Sequence, residues 1–381
     1  MNKTEKLYYS DQYIKKFDAT VLSSENKGDK FDVILDKSAF FPEEGGQYSD
    51  TGFIADAKVY EVYEENSVIH HITDKPLEIG NTVSCEIDFE ERFEKMQCHT
   101  AEHILSGLIH KKYGYDNVGF HLGKEEVTMD ISSPLSREEL DEIEDMANRI
   151  VCMNIPVSVF YPDSDMASKL EYRSKLDIKD NLRIVKIGEY DSCACCAPHV
   201  NFTGEIGVIR IIEFAGLRGG IRIKISAGYR AFRQIKEITR SVDKISGLLS
   251  VPKSDVACEV EKRLKEKSEL DYRYFEVRCE LFTKTAREAL SNGNNVVFLN
   301  DANAEEMRNV ANALATQNSD ILVLLSGTER DYKYNISSKT RNLRILAKDI
   351  NSSLSGRGGG RENMITGSLK ATLGEIEDFF K

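Results

Sequence analysis

The amino-acid sequence predicts an α+β multidomain protein. A β-barrel is expected over residues 1–90, an α+β unit over 91–228, a helical hairpin over 229–291 and a C-terminal α/β module over 292–381. Three observations predict this. At 381 residues the chain is longer than one hydrophobic core usually organises. The apolar period changes along it, from short alternating runs to helical steps of three and four, then to a strand–helix–strand order. Clusters of Gly, Asn, Asp and Ser separate the short runs, as turns require.

Composition sets the class. A chain that is 41% hydrophobic and 30% charged is globular. It holds no run of about 18 apolar residues, which excludes a transmembrane helix. The start, Met1-Asn2-Lys3-Thr4-Glu5-Lys6-Leu7, lacks the apolar stretch of a signal peptide, so a cytoplasmic protein is expected. In that setting eight cysteines read as thiols and metal ligands, not as a disulfide framework. Cys85, Cys98, Cys152, Cys258 and Cys279 are scattered and are expected in the core.

The barrel is read from alternating runs such as Phe31-Asp32-Val33-Ile34-Leu35 and Ser67-Val68-Ile69-His70-His71-Ile72. Turn formers at Asn26–Asp29, Gly45-Gly46 and Gly80-Asn81 divide them. The stretch from Phe41 to Gly52 is the informative loop. Gly45 and Gly46 permit positive φ and close backbone approach, which suits either a structural turn or a binding loop.

The α+β unit opens with a helix over 91–112 that carries Cys98-His99-Thr100-Ala101-Glu102-His103. Positions four apart share a helix face, so His99 and His103 can grip one ion. Residues 193–200 read Cys-Ala-Cys-Cys-Ala-Pro-His-Val, and Pro198 argues against a helix there. Cys195 and His199 can therefore close from a loop the site that His99 and His103 open. Three His and one Cys suit a tetrahedral Zn2+. Cys193 and Cys196 flank the set and are competitors for the metal. A zinc-protease reading fails at Thr100, where those enzymes need Glu as the general base.

Further elements follow: a strand over 126–131, an amphipathic helix from Arg137 to Met153, strands over 155–161, 182–187, 206–212 and 220–227. From 229 the apolar residues step by three and four, with a break at 250–255; this is a linker hairpin or a dimerising coiled-coil arm. The last module has a strand at Val296–Leu299, a helix from Ala304 to Gln317 and a strand at Ile321–Leu325, an order that implies a parallel pair. Near its end stands Gly356-Arg357-Gly358-Gly359-Gly360-Arg361, with bare backbone amides and two cations suited to phosphate. It is not a P-loop, because the Gly-Lys-Ser/Thr ending is missing.

These motifs resemble the editing domain of alanyl-tRNA synthetases, and still more the free-standing alanyl-tRNA editing proteins, the AlaX family. The carriers are H-T-A-E-H at 99–103 and C-C-A-P-H-V-N-F-T-G-E-I-G at 195–207. The family commonly has Gly-Thr where Ala197-Pro198 stands here, and often a small residue at Glu44. The Gly-rich loop, Gly119-Phe120-His121-Leu122-Gly123 and the Arg-Gly-Gly-Gly-Arg stretch also have counterparts, the last in the DHHA1 module. The resemblance implies a zinc-binding editing domain at 91–228 and a DHHA1-like tRNA-binding module at 292–381. It implies a substrate pocket involving Gly45, Gly46, Gln47, Thr100 and His121, and tRNA contacts at Arg357, Gly358, Gly359, Gly360 and Arg361. It identifies no general base.

The activity so implied is trans-editing: zinc-dependent hydrolysis of mischarged tRNA(Ala), serine first and glycine next, without aminoacylation, since no class II core is readable before the barrel. The alternatives are a non-catalytic, zinc-stabilised tRNA-binding protein and a detached synthetase fragment. A homodimer through the helical arm or the C-terminal module is a further expectation. The net charge of −12 is awkward for an RNA binder, so local charge must serve. Residues 205–240 carry eight Lys or Arg against three Glu, and residues 330–361 eight against two Asp; both are candidate RNA surfaces or plain solvated faces.

Overall fold

A computed structural model describes residues 3–174, 182–315 and 320–381 of the chain. They form two compact units, Met1–Ser241 and Val242–Lys381.

The first unit begins with six antiparallel strands: β1 (Lys16–Asn26), β2 (Phe31–Leu35), β3 (Gly52–Ile54), β4 (Ala57–Glu65), β5 (Val68–Thr73) and β6 (Thr82–Ile87). Their order β1-β2-β5-β4-β3-β6 closes into a barrel. Val21, Val33, Leu35, Ile54, Val59, Val62 and Ile69 fill its interior at 0% exposure, so the barrel is packed, not hollow. A shift of register between Val21 and Ser23 bends β1 so that it pairs with β2 at one end and β6 at the other.

Helix α1 (Phe89–Tyr113) follows. The Asp88 side chain caps it by accepting from the Glu91 amide, and Gly114 ends it in the left-handed region at φ 71°. Every residue from Lys95 to Ile109 is buried, so the helix is enclosed on all sides. One side meets a four-stranded sheet of β7 (Asn117–Leu122), β8 (Val127–Ile131), β12 (Ile209–Leu217) and β13 (Gly220–Ala227), in the order β12-β13-β8-β7. Helix α2 (Arg137–Met153), with a Ser136–Glu139 capping box, packs beside α1 through Leu140, Ile143, Ala147 and Ile150. A three-stranded sheet, β9 (Val157–Phe160), β10 (Ile184–Ile187) and β11 (Asp191–Ala194), carries the cysteine loop at the end of β11.

Two helices leave the sheet, α3 (Gly228–Leu249) and α4 (Val256–Ser291), with residues 250–255 between them. Most apolar positions of their stripes, including Ile238, Leu248, Leu264 and Leu270, are exposed in the single chain. In the second unit a five-stranded sheet runs β14 (Val296–Phe298), β15 (Ile321–Thr328), β16 (Asp331–Ser338), β18 (Met364–Leu369), β17 (Arg357–Gly360). β14 and β15 are parallel, joined by α5 (Ala304–Leu314); the other pairs are antiparallel. The expected helix end at Gln317 lies outside the described residues. β15 is buried on both faces. Leu322 and Leu324 pack with α5 and the end of α4, while Ile321, Val323 and Leu325 pack with α6 (Leu343–Ser353) and α7 (Leu373–Phe380).

One expectation is corrected. Cys152 and Cys258 are exposed and Cys279 is half-buried, not core residues: Cys152 lies off the buried face of α2, and the first turns of α4 are exposed nearly all round. The Gly-rich stretch near the end, for which the sequence assigned no element, forms a strand. Arg357–Gly360 is an edge strand, and a Cβ on Gly358 would stand 2.2 Å from the Tyr334 hydroxyl, so close packing demands that glycine.

Candidate metal centre

His99 and His103 stand one turn apart on α1, each 2% exposed. Cys195 and His199, from the loop after β11, face them. The ligand atoms of all four lie within 4.8 Å of one another. Cys195 Sγ is 3.6 Å from His99 Nε2 and 3.4 Å from His199 Nε2. A tetrahedral zinc with Zn–N of about 2.0 Å and Zn–S of about 2.3 Å holds N and S about 3.6 Å apart. The residues therefore fit a metal ion.

The hydrogen bonds behind the histidines fix their tautomers. His99 Nδ1 donates to Gln47 Oε1 at 2.9 Å, and His103 Nδ1 to Asp191 Oδ2 at 2.9 Å. Thr100 Oγ1 donates to the Met96 carbonyl at 2.7 Å, so it accepts from His199 Nδ1 at 3.1 Å. Each Nε2 is thereby left with its lone pair toward the others, which is the form a metal takes. The electrostatics are divided: burial would lower His103, but the charge of Cys193 and the bonds to Asp191 and Cys195 outweigh it and raise His103 well above its ordinary 6.5. Burial drives His199 down to about 3, the charge of Cys195 opposing it. Burial alone would raise the Cys195 thiol, but His99 and His199 outweigh it and draw it well below the usual thiol range. Asp191 is likewise held low: burial opposes ionisation, while the bond from His103 and the charge of Arg173 favour it.

The site opens on a cavity of about 1560 Å³ whose walls include Gly45, Gly46, Glu102, Asn117, Phe120 and Arg173. Gly46 has φ +78°, and a Cβ there would lie 2.3 Å from the Phe120 carbonyl; no other residue type fits this approach. Gln47 and Thr100 are fully buried and act on the histidines, not on the cavity surface. His121 is corrected by strand alternation. Phe120 turns toward His99, ring centroids 4.7 Å apart, so His121 points to the other face and is exposed.

Cys193 Sγ groups with His103 and Asp191, but the Arg173 guanidinium, 2.7 Å from Asp191 Oδ1, already neutralises that carboxylate. Cys196 lies beside Gly45, and burial raises its thiol. Sequence reasoning missed Asp191, Arg173, Asn117 and Phe120 as members of this centre. Asp191, four residues before Cys195 in a chain turning into the ligand loop, was the one with a readable signal.

The basic stretches divide. Arg210, Arg222 and Lys224 pair with Glu144, Asp130 and Glu126, and Arg230 and Arg233 share Glu94, so five of the eight cations of the first stretch are paired. In the second, Arg330 and Arg341 pair with Glu375 and Asp320, while Arg357 through Arg361 stand exposed. No helix among the described residues is long and apolar enough to cross a membrane.

Fold and site define a chain assembled from synthetase-type domains. Residues 1–91 match the family described as tRNA synthetases class II (A), residues 182–227 the threonyl and alanyl tRNA synthetase second additional domain, and residues 293–381 the DHHA1 domain. Over 98% of its length the chain is 29% identical to the alanyl-tRNA editing protein AlaX-L of Pyrococcus horikoshii, and it covers 96% of that protein. The resemblance to the long-form alanyl-tRNA editing proteins thus holds along the whole chain. Alanine–tRNA ligases of Methanococcus vannielii and Thermococcus kodakarensis are 30% and 31% identical over 99% and 97% of this chain, which spans only 43% and 42% of them. The match to the solved C-Ala domain of Aquifex aeolicus alanyl-tRNA synthetase covers 23% of this chain and 85% of that domain, at 21% identity and a TM-score of 0.21.

Proposed function

We propose that the chain is a cytoplasmic trans-editing hydrolase. It cleaves the ester between a wrong amino acid and the 3′-terminal ribose of tRNA(Ala), serine ahead of glycine, without aminoacylating. The convergence of His99, His103, Cys195 and His199 at a cavity edged by the Gly45–Gly46 loop carries this reading. Zinc bound there would polarise the ester or a water. The protein's own part is positioning. Gln47, Asp191 and Thr100 hold the ligands, and Gly46 lets the loop lie against Phe120. Residues 1–90 supply the loop, 91–228 the metal, 229–291 an arm, and 292–381 the grip on the tRNA body through Arg357–Arg361. A homodimer would form through the arm or the last module.

One observation favours a second reading. Four protein ligands fill a zinc tetrahedron, which suits a structural site in a non-catalytic tRNA-binding protein. His103→Ala separates the two. Zinc content should fall well below one per chain, Ser-tRNA(Ala) hydrolysis should be lost, and binding of uncharged tRNA should persist. If zinc-loaded wild type binds tRNA but leaves Ser-tRNA(Ala) intact at stoichiometric amounts, the binding-protein reading stands instead.

A further inference from the structure

The β10–β11 ladder stops one residue short of Cys195. Its last row pairs Ile184 with Ala194, so the next antiparallel row would set Arg183 opposite Cys195. That row is half made: the Cys195 amide donates to the Arg183 carbonyl at 3.1 Å. Beyond it the chain turns into the ligand loop, where Pro198 has no amide to offer a strand. The loop's carbonyls still need donors, because a buried carbonyl left unpaired costs stability. The Arg183 side chain supplies them. Its Nη1 donates to the Cys195 carbonyl at 2.7 Å and to the Ala197 carbonyl at 2.9 Å.

Arg183 is 6% exposed, and its Nε has no acceptor among the described residues. Its guanidinium lies over the Tyr9 ring, 5.5 Å from the centroid, and Ala197 packs with Tyr8 and Phe41. A buried cation with an unmet donor is destabilising, and an apolar side chain would fill this space at less cost. What the arginine adds is a planar group that ties two loop carbonyls to one strand. The two halves of the loop are held differently. The His199 amide donates to Gln12 Oε1 at 3.3 Å, the Val200 amide to Thr100 Oγ1 at 3.3 Å, and the His199 ring bonds Thr100 as well. Around Cys195 the ties run to Arg183, through its carbonyl and through its side chain.

We infer that Arg183 is a positioning residue of the metal centre, a reading that rests on the zinc site of the function proposed above. By holding the carbonyls of Cys195 and Ala197, it aims the Cys195 sulfur at the position that His99, His103 and His199 surround. The thiolate arm of the site depends on Arg183, while the three histidine arms have their own supports in Gln47, Asp191 and Thr100.

The test measures metal binding, so it does not depend on turnover. The probe is Co2+, whose visible bands report a tetrahedral site and whose near-ultraviolet charge-transfer band reports the thiolate. The metal-free full chain is titrated with it as wild type, Arg183→Met and Arg183→Lys, and thermal melting checks that each is folded. Arg183→Met keeps the length and removes the donors. It should weaken Co2+ binding about 10- to 100-fold, the range for residues that orient a ligand. At saturating Co2+ it should also lower the charge-transfer intensity relative to the visible bands. Arg183→Lys keeps the charge and can reach one carbonyl, so both losses should be smaller, about tenfold or less in affinity. It carries the test if the Met variant does not fold. Variants with wild-type affinity overturn the inference. So does a weakened affinity at the wild-type band ratio, which a loss of stability alone would give. A wild type that shows no charge-transfer band with Co2+ overturns the zinc site as well.

Discussion

Asp50→Asn removes one charge from the interior of the first unit at nearly constant volume. Asp50 is 1% exposed, and its carboxylate accepts from the Phe41 amide at 2.7 Å, Arg92 Nε at 2.7 Å and Lys95 Nζ at 3.1 Å. Arg92 and Lys95 are themselves 1% and 0% exposed and sit on α1, about two turns and one turn before His99. The ion cluster thus fastens the Gly-rich loop to the helix that carries the ligands. Removing one partner of a buried pair costs about 3–5 kcal/mol, because the remaining charge stays buried. Here both cations keep some compensation. Arg92 also donates to the Ala39 carbonyl at 2.7 Å, and Lys95 donates to the Ser49 carbonyl at 2.7 Å and lies over the Tyr48 ring. The expected loss is therefore near the lower end, about 3 kcal/mol. Native-state hydrogen exchange of the α1 amides reads it as a fall in opening free energy of that size. A fall below about 1 kcal/mol would refute the reasoning, since it would mean the cations are not held by Asp50. The pH dependence has a definite sign. Burial raises the Asp50 carboxyl, but Arg92 and Lys95 hold it below its ordinary 3.8. Its contribution is thus fully present above pH 3.8 and is lost as pH falls through the lower folded value. Asp50→Asn should abolish that part of the acid transition.

Two further substitutions probe the other parts. Gln47→Ala leaves His99 without the acceptor that fixes its tautomer, and metal affinity measured against a chelator should weaken about 10- to 100-fold; an unchanged affinity would show that Gln47 does not orient the ligand. Arg357→Ala with Arg361→Ala should weaken tRNA binding and lower the slope of log affinity against log salt by about 1.4 to 1.8, at about 0.7–0.9 per phosphate contact. An unchanged slope would leave the second unit a folding or dimerising role.

The four converging residues, His99, His103, Cys195 and His199, were legible in the sequence because their spacing is local. An H-x-x-x-H pair needs only a helix, and the helix announces itself through Ile104, Leu105, Leu108 and Ile109 at helical spacing. Cys195 and His199 are also four apart, on a loop that Pro198 keeps from becoming helical. What supports the ligands was not legible, because its contacts join distant parts of the chain. Asp191 meets His103 across 88 residues, and Gln47 meets His99 across 52. His121 shows a second limit. The strand was readable, but which alternate residue faces the helix depends on its register with β8, where Phe120 pairs with Met129 and His121 with Thr128. The Arg357–Gly360 stretch shows a third. Among glycines read as bare amides for phosphate, Gly358 makes room for Tyr334 and Gly360 for the neighbouring strand, a requirement only the packed sheet reveals.

The account's central claim is that this metal centre edits, and the discriminating measurement is the time course of deacylation. Zinc-loaded full-length protein is incubated in parallel with Ser-tRNA(Ala), Gly-tRNA(Ala) and Ala-tRNA(Ala), each labelled on the amino acid. The account predicts rapid loss of the seryl label, slower loss of the glycyl label, and alanyl loss near the rate without protein. Equal hydrolysis of the alanyl ester, or survival of the seryl ester at stoichiometric protein, contradicts it.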